Sequence, residues 1–353
     1  EGRISLIPQH ITQFTGLADI FVETEAGLGS GFTDKDYEAA GAKIVTTARE
    51  LYEVSEIICK VKEPQPEELE MLNSSHVLFG YLHLASNLSL TKTLLEKKLT
   101  GIATEMIMDG KEYPLLIPMS KIAGNLAVQK GMQFLEYSSQ GKGVLLSSIS
   151  GEKNSKVAVI GCGEVGKSSI HKSIQVGASV TAIDLNEDIL KDLKNKYGEN
   201  IRTLLSGTDE AVSAIRSADL VVGAVLLPGR KPPTVITEED IKYMEKGTVI
   251  IDVAIDQGGC VEGVSPNTHS DPFKIRNGVI VSAIANLPGA VPKTSSMELS
   301  TNLQNYVDNL LVENWFEEYK NNESLLPSLQ IHKGLLLSEE VADSLSLTLS
   351  KLV

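Results

Sequence analysis

The sequence predicts an α/β chain built from two doubly wound domains, and three observations carry that prediction. Apolar runs of strand length alternate with helical segments along most of the chain, as parallel sheets covered on both faces require. A Gly-x-Gly-x-x-Gly turn stands between one such run and a helix, within residues 156–186, KVAVIGCGEVGKSSIHKSIQVGASVTAIDLN. The length, 353 residues, exceeds one ordinary core, so two domains are the default.

In order along the chain, strands are predicted at 18–22, 57–61, 77–82 and 102–105, with helices at 34–42, 47–54 and 89–98. Thr33-Asp34-Lys35-Asp36 supplies capping chemistry for the first of these helices. Residues 117–139 read as one amphipathic helix starting near Ser120, a natural bridge between domains, and 140–155 as a loop with a short strand. The run Val157-Ala158-Val159-Ile160 then opens the glycine unit as a buried strand.

Each glycine of that unit has a distinct physical task. Gly161 permits the tight turn, Gly163 lets the backbone approach a pyrophosphate, and Gly166 lets helix and strand pack closely. The pyrophosphate would sit on free N–H groups at the helix N-terminus, where the dipole favours an anion. Asp184 closes the following apolar run, where a carboxylate accepts hydrogen bonds from a ribose diol and repels a 2′-phosphate. The unit therefore predicts a Rossmann-like domain that takes NAD in preference to NADP.

Further buried strands are predicted at 220–226, 248–253 and 279–284, and a long helix over 296–320, with Leu299, Leu303, Tyr306, Leu310 and Leu311 at three-to-four spacing and Trp315 extending the face. The resulting division is 1–116 as the first part of a substrate domain, 117–292 as the dinucleotide domain, and 293–353 as a helical return. The substrate domain is then discontinuous, with the active site expected in the cleft.

Composition narrows the function. Hydrophobic content of 42% and charged content of 22% are those of a soluble globular protein. A net charge of −14 argues against nucleic acid or an anionic membrane as partner. No apolar run approaches the roughly 20 residues of a membrane span, and nothing resembles a signal peptide. Cys59, Cys162 and Cys260 are scattered without metal spacing, which suggests reduced thiols in a cytoplasmic protein and no metal site. Cys162 reads as a small spacer inside the glycine turn. Because the chain opens on Glu1, a short preceding segment is expected.

Several residues could carry chemistry. His83, ending the run Phe79-Gly80-Tyr81-Leu82, stands where catalytic residues of α/β sheets gather, and its imidazole can exchange protons near neutral pH. It could equally be a half-buried histidine bonded to backbone. Lys62 follows a strand and could bind a carboxylate or polarise a carbonyl; Lys60 lies two residues earlier on the same face, so the pattern leaves that choice open. Arg3 could clamp a carboxylate. Asp256 could orient substrate or a proton-relaying water, or cap the Gln257-Gly258-Gly259 turn. Asn286 could bond a nicotinamide amide or hold the turn before Pro288.

Taken together, ETEAGLGSGFTDKDYEAAGA (23–42), VKEPQPEE (61–68), FGYLHLAS (79–86), PMSKIAGNLA (118–127), VIGCGEVG (159–166), DVAIDQGG (252–259) and ANLPGAVPKTS (285–295) closely resemble the alanine dehydrogenase family, in order and over nearly the whole chain. The resemblance implies oxidative deamination of L-alanine to pyruvate and ammonia with NAD, the reverse amination, and assembly as a homo-hexamer. It implies Arg3 and Lys62 as substrate ligands, His83 as the proton-transfer residue and Asp256 as the catalytic carboxylate. It implies Ser120, Gly161, Gly163, Glu164, Val165, Gly166, Asp184, Ser206, Val225, Leu226, Ile255, Asn286 and Leu287 as cofactor positions.

Three departures stand out: Ser147-Ser148-Ile149-Ser150-Gly151 in place of a Gly-Gly-Val-Pro-Gly loop, Ser300-Thr301-Asn302-Leu303-Gln304-Asn305 in the long helix, and Gly80 in place of Thr. The alternatives are an opine-type or other amino-acid dehydrogenase on the same scaffold, or a catalytically reduced NAD-binding homologue.

Overall fold

The structure is a computed structural model, and it describes residues 1–149, 155–225 and 232–351. Its contacts divide the chain into two compact units: Glu1–Met119 with Val291–Val353, and Ser120–Ala290. Both are α/β, and none of the described helices is long and apolar enough to cross a membrane.

The first unit is built on a five-stranded sheet. Its parallel heart is β3 (Ile57–Cys59), β4 (Val77–Gly80) and β5 (Thr100–Ala103), in the order β3-β4-β5. Every residue of β4 and β5 is buried, as continuous apolar runs covered on both faces should be. The expected strand at 18–22 forms later, as β1 (Phe21–Glu23), and leaves the main sheet to pair with β2 (Lys43–Val45). The strand expected at 102–105 starts earlier, at Thr100, and gives way to the 3₁₀ turn Thr104–Met106.

Local signals set the helices of this unit. Thr33 and Asp36 form a reciprocal capping box at Asp34–Ala39. Thr47 caps Ala48–Val54, and Asn87 caps Leu88–Lys97.

The tail departs from the expected single helix over 296–320. The helix begins at Pro292, whose fixed φ suits a first turn, and ends at Val307. A 3₁₀ turn, Asp308–Leu310, and a second helix, Trp315–Lys320, follow. The polar pair Asp308-Asn309 interrupts the apolar pattern; the Asn309 amide donates to the Tyr306 carbonyl, offering the backbone an alternative to another helical turn.

The helical return expected over 293–353 also contains two strands. β13 (Leu329–His332) lies antiparallel against β5, and β14 (Leu335–Leu336) lies against β13. Their sequence hid them, because Gln330 and His332 are polar yet buried. His332 is accommodated by a 3.0 Å hydrogen bond between Nδ1 and Thr100 Oγ1 and by stacking on Phe316.

The second unit holds a seven-stranded sheet. Its strands are β6 (Lys156–Ile160), β7 (Ser179–Asp184), β8 (Ile201–Leu205), β9 (Leu220–Gly223), β10 (Val249–Asp252), β11 (Lys274–Arg276) and β12 (Val279–Ser282). The order is β11-β12-β10-β9-β6-β7-β8, parallel except for β11. The chain winds from β6 out to β8, then restarts at β9 and winds the other way. The β6/β9 junction is thus the switch point where such sheets bind ligands.

The helix expected near Ser120 begins at Leu116 and ends at Phe134, so it crosses the division between units; residues Tyr137–Ser139 are a separate 3₁₀ turn. No strand forms among the described residues of 140–155 before Ser155. Of the altered 147–151 loop, Ser150 and Gly151 lie outside the described residues.

Candidate active site

In the second unit the glycine turn joins β6 to the helix Glu164–Gln175. Gly161 has φ +88°, and a Cβ there would lie 2.6 Å from the Ala224 carbonyl, just past β9. A Cβ on Gly166 would lie 1.9 Å from the Gly161 carbonyl. Both positions demand glycine. A Cβ on Gly163, by contrast, would meet nothing within 4 Å, and this residue caps the helix without a side chain. An open, uncapped helix start at a switch point fits the diphosphate of a dinucleotide. Glu164 and Val165 form its first turn.

Asp184 ends β7 beside this turn. Its Oδ2 accepts from the Cys162 N–H at 2.6 Å and its Oδ1 from the Asn186 N–H at 2.8 Å, so the carboxylate is fixed where a ribose hydroxyl can meet its remaining lone pairs. Ser206 is attached to the same place, its N–H donating to the Asp184 carbonyl at 2.9 Å. Val225 follows β9 and is half-buried; Leu226 lies outside the described residues. Ser120 is half-buried in the Leu116–Phe134 helix. Burial pushes the Cys162 thiol up to about 12, so it is an inert filler of the turn.

Two further residues singled out in the sequence meet at the ends of β10 and β12. Asp256, exposed in the 3₁₀ turn Val253–Gln257, accepts the Asn286 N–H through both oxygens, at 3.2 and 3.3 Å. Asn286 holds a left-handed backbone, φ 56°, directly before the buried Leu287. Asp256 does not cap the Gln257-Gly258-Gly259 turn. The N–H groups of Gly258 and Gly259 go instead to the carbonyls of Ile255 and Ala254.

The loop-holding carboxylate is Asp252. It is fully buried and accepts from Ala254 N, Cys260 N and Val261 N at 2.8–3.0 Å. Burial raises its pKa despite these bonds. Ile255 is buried beneath this loop.

In the first unit, His83 lies just beyond β4 with φ 47° and ψ 40°, a strained left-handed conformation for a non-glycine residue. Glu105, past β5 and nearly buried, over-determines that conformation. It accepts the His83 N–H at 2.7 Å and the Leu82 N–H at 3.2 Å, and its Oε1 lies 3.7 Å from the imidazole Nδ1. The ring stacks in parallel on buried Tyr81, and its side chain is 47% exposed. The imidazole therefore faces a carboxylate and an aromatic ring on one side and open space on the other.

Lys60 and Lys62 part company in the fold. Lys60 is ion-paired with Glu68, whereas Lys62 is half-buried with no ion pair among the described residues. Lys62 lines a cavity of 1770 Å³ that Arg3 also lines. Arg3 is 7% exposed; its Nε and Nη2 grip both oxygens of Glu1 at 2.9 and 2.7 Å. Burial by itself would raise the Glu1 carboxyl, but the bonds and charge of Arg3 overcome it and bring it down to about 2. Two cations lining one cavity supply the charge that a small carboxylate needs.

Comparison with known proteins places the chain in a family. The model described as "Alanine dehydrogenase/PNT, N-terminal domain" matches residues 1–123, and "Alanine dehydrogenase/PNT, C-terminal domain" matches residues 127–339. The chain belongs to the alanine dehydrogenase/PNT family.

The alanine dehydrogenase of Bacillus subtilis is 42% identical over 98% of this chain and 92% of its own, and that of Methanococcus maripaludis is 41% identical over 97% and 92%. A solved L-alanine dehydrogenase superposes with a TM-score of 0.93 at 37% identity, covering 98% of this chain and 96% of that one. A transhydrogenase from Sinorhizobium meliloti shares the fold, with a TM-score of 0.81 at 22% identity over 96% of each chain.

Against that family background, Glu105, Asp252 and Glu1 are the residues that sequence reasoning passed over. Glu105 had a signal, an acidic residue ending an apolar run, but was absorbed into the expected strand. The departure at Gly80 has a local cause: a Cβ there would lie 2.3 Å from the Lys60 carbonyl, so β3 and β4 approach too closely in this chain for a larger residue. In the long helix, Ser300 still offers a hydroxyl, which accepts the Ile7 N–H at 2.9 Å.

Proposed function

We propose that this protein is an NAD-dependent L-alanine dehydrogenase that converts L-alanine to pyruvate and ammonia and runs the reverse amination. The observation that carries the reading is the joint presence of Arg3, Lys62, His83 and Asp256 in a chain 42% identical to an alanine dehydrogenase over 98% of its length.

In this reading Arg3 and Lys62 bind the α-carboxylate through charge-assisted hydrogen bonds. The glycine turn, Asp184 and the residues around Asn286 would hold NAD, which would supply the acceptor for the hydride leaving Cα. The amine nitrogen loses a proton as the imino acid forms, and water then adds to the imine carbon. His83 accepts a proton of the attacking water, gives it to the amine nitrogen, and takes up the remaining hydroxyl proton as the carbonyl forms and the C–N bond breaks, leaving pyruvate and ammonia. Such proton transfer contributes about 10²–10⁴-fold. Glu105, beside Nδ1, favours the tautomer that leaves Nε2 free to act as the base. Asp256 orients the reacting water and the turn bearing Asn286. The reading extends to a homo-hexamer in the cytoplasm, supported by the family resemblance and the three free thiols.

Steady-state assays decide the activity. L-Alanine should reduce NAD, and pyruvate with ammonia should oxidise NADH. NADH oxidation with pyruvate and a second amino acid, but not with ammonia, would establish an opine-type reductase instead. NADH binding without turnover of any of these would establish a catalytically reduced homologue. Light scattering on the purified protein tests the hexamer.

A further inference from the structure

The segment that carries Arg3 belongs to neither sheet of its unit, yet a clamp must hold its guanidinium in one place. Hydroxyl groups do the work that a strand partner would otherwise do. Ser30 Oγ lies 2.7 Å from the Gly2 carbonyl, as its donor, and 2.7 Å from Ser296 Oγ. Ser296 Oγ accepts the Ile4 N–H at 2.9 Å. Ser30 and Ser296 are both fully buried.

Each serine has a single O–H, so the protons can be assigned by counting. The Pro292 carbonyl, 3.3 Å from Ser30 Oγ, is a second and longer acceptor; with the Ser30 proton on a carbonyl, and Gly2 the nearer at 2.7 Å, the bond between the hydroxyls is donated by Ser296. The result is a directional chain, Ile4 N–H to Ser296 to Ser30 to Gly2 C=O, closing around Arg3 from the residues on either side of it. The Leu28–Ser30 turn reaches this position because Gly29 has no side chain: a Cβ there would lie 2.7 Å from Gly2 Cα. That gives the GLGSG stretch, whose role the cofactor and catalytic residues leave unexplained, a specific task.

We propose that Ser30 and Ser296 are positioning residues for Arg3, and that this hydroxyl chain sets affinity for the amino and keto acids without entering the chemical step. The proposal rests on the reading of Arg3 as the carboxylate clamp. The test compares Ser296→Thr, which keeps the hydroxyl, with Ser296→Val, which replaces it by a methyl of similar size, alongside Ser30→Ala and Arg3→Ala in the full chain. The readouts are KM for alanine and pyruvate, kcat, NADH affinity by fluorescence titration, and thermal unfolding.

Ser296→Val and Ser30→Ala should each raise both KM values about fivefold, the equivalent of one lost buried hydrogen bond, with kcat and NADH affinity retained. Ser296→Thr should keep the wild-type KM, and the Ser30→Ala/Ser296→Val pair should be no worse than the weaker single variant, since a chain broken once is already open. Equal KM values for the Thr and Val variants would overturn the proposal. So would a fall in kcat and NADH affinity in step with thermal stability, which is the mark of a purely structural role. If Arg3→Ala leaves KM unchanged, the clamp reading itself fails; if Arg3→Ala raises KM while Ser296→Val is silent, only the hydroxyl chain is refuted.

Discussion

The two units build their candidate sites from different materials. In Ser120–Ala290 the site is mostly backbone: a glycine turn, an uncapped helix start, and N–H groups that fix Asp184. The candidate site of the other unit is mostly side chains brought from far apart in sequence: Arg3 held by Glu1, His83 held by Glu105, and Lys62. A backbone site needs glycines at fixed offsets, so it leaves a motif. A side-chain site needs only the right group at the end of each element, and local sequence scarcely records it.

That contrast can be broken most decisively at His83. His83→Ala should lower kcat at least about a hundredfold while NADH affinity, a property of the other unit, is retained. Stopped-flow and fluorescence titration would show it, and a joint loss would mean that the histidine supports structure. Gly166→Ala is the converse. Its Cβ would collide with the Gly161 carbonyl, costing about 1–3 kcal/mol and lowering both NADH affinity and the unfolding temperature.

Asp184→Ala sharpens the comparison within the backbone-built site. Loss of a charged acceptor should weaken NAD roughly tenfold and relax rejection of NADP. An unchanged NAD-to-NADP ratio of kcat/KM would assign ribose recognition to another residue.

The smallest effect is expected at Glu1. Its carboxyl titrates at about 2 in the folded protein against an ordinary value of 4.5, so its pairing with Arg3 stabilises the fold fully above about pH 4.5. That contribution is lost as pH falls through the folded value. Glu1→Gln should therefore flatten the fall of the unfolding midpoint between about pH 4.5 and pH 2; identical slopes would show that the pair adds nothing to stability.

Legibility followed the same line. The inner strands of the seven-stranded sheet were readable because they are apolar runs, as in Val249–Asp252 and Val279–Ser282, whereas Ile201–Leu205 and Lys274–Arg276 were not, because these strands at the two sheet edges carry charged and exposed residues. The strand Leu329–His332 was not, because polar Gln330 and His332 break its apolar run, and His332 enters the interior where Thr100 awaits it. Asp256 and Asn286 were legible as strand-end residues, but only the fold shows one accepting the other's N–H, with Asp252 accepting the N–H groups of Ala254, Cys260 and Val261. Lys60 and Lys62 look alike in sequence because both share a face, and only the fold shows Lys60 ion-paired with Glu68.

What the sequence by itself determined is the periodicity of burial, the glycine turn and the capping boxes, all features encoded within a few residues by backbone conformation and side-chain size. Only the tertiary structure decided which carboxylate stands behind His83, which lysine pairs with Glu68, and what holds the strandless segment of Arg3. Those depend on contacts between residues tens to hundreds of positions apart, whose geometry exists only once the sheets are assembled.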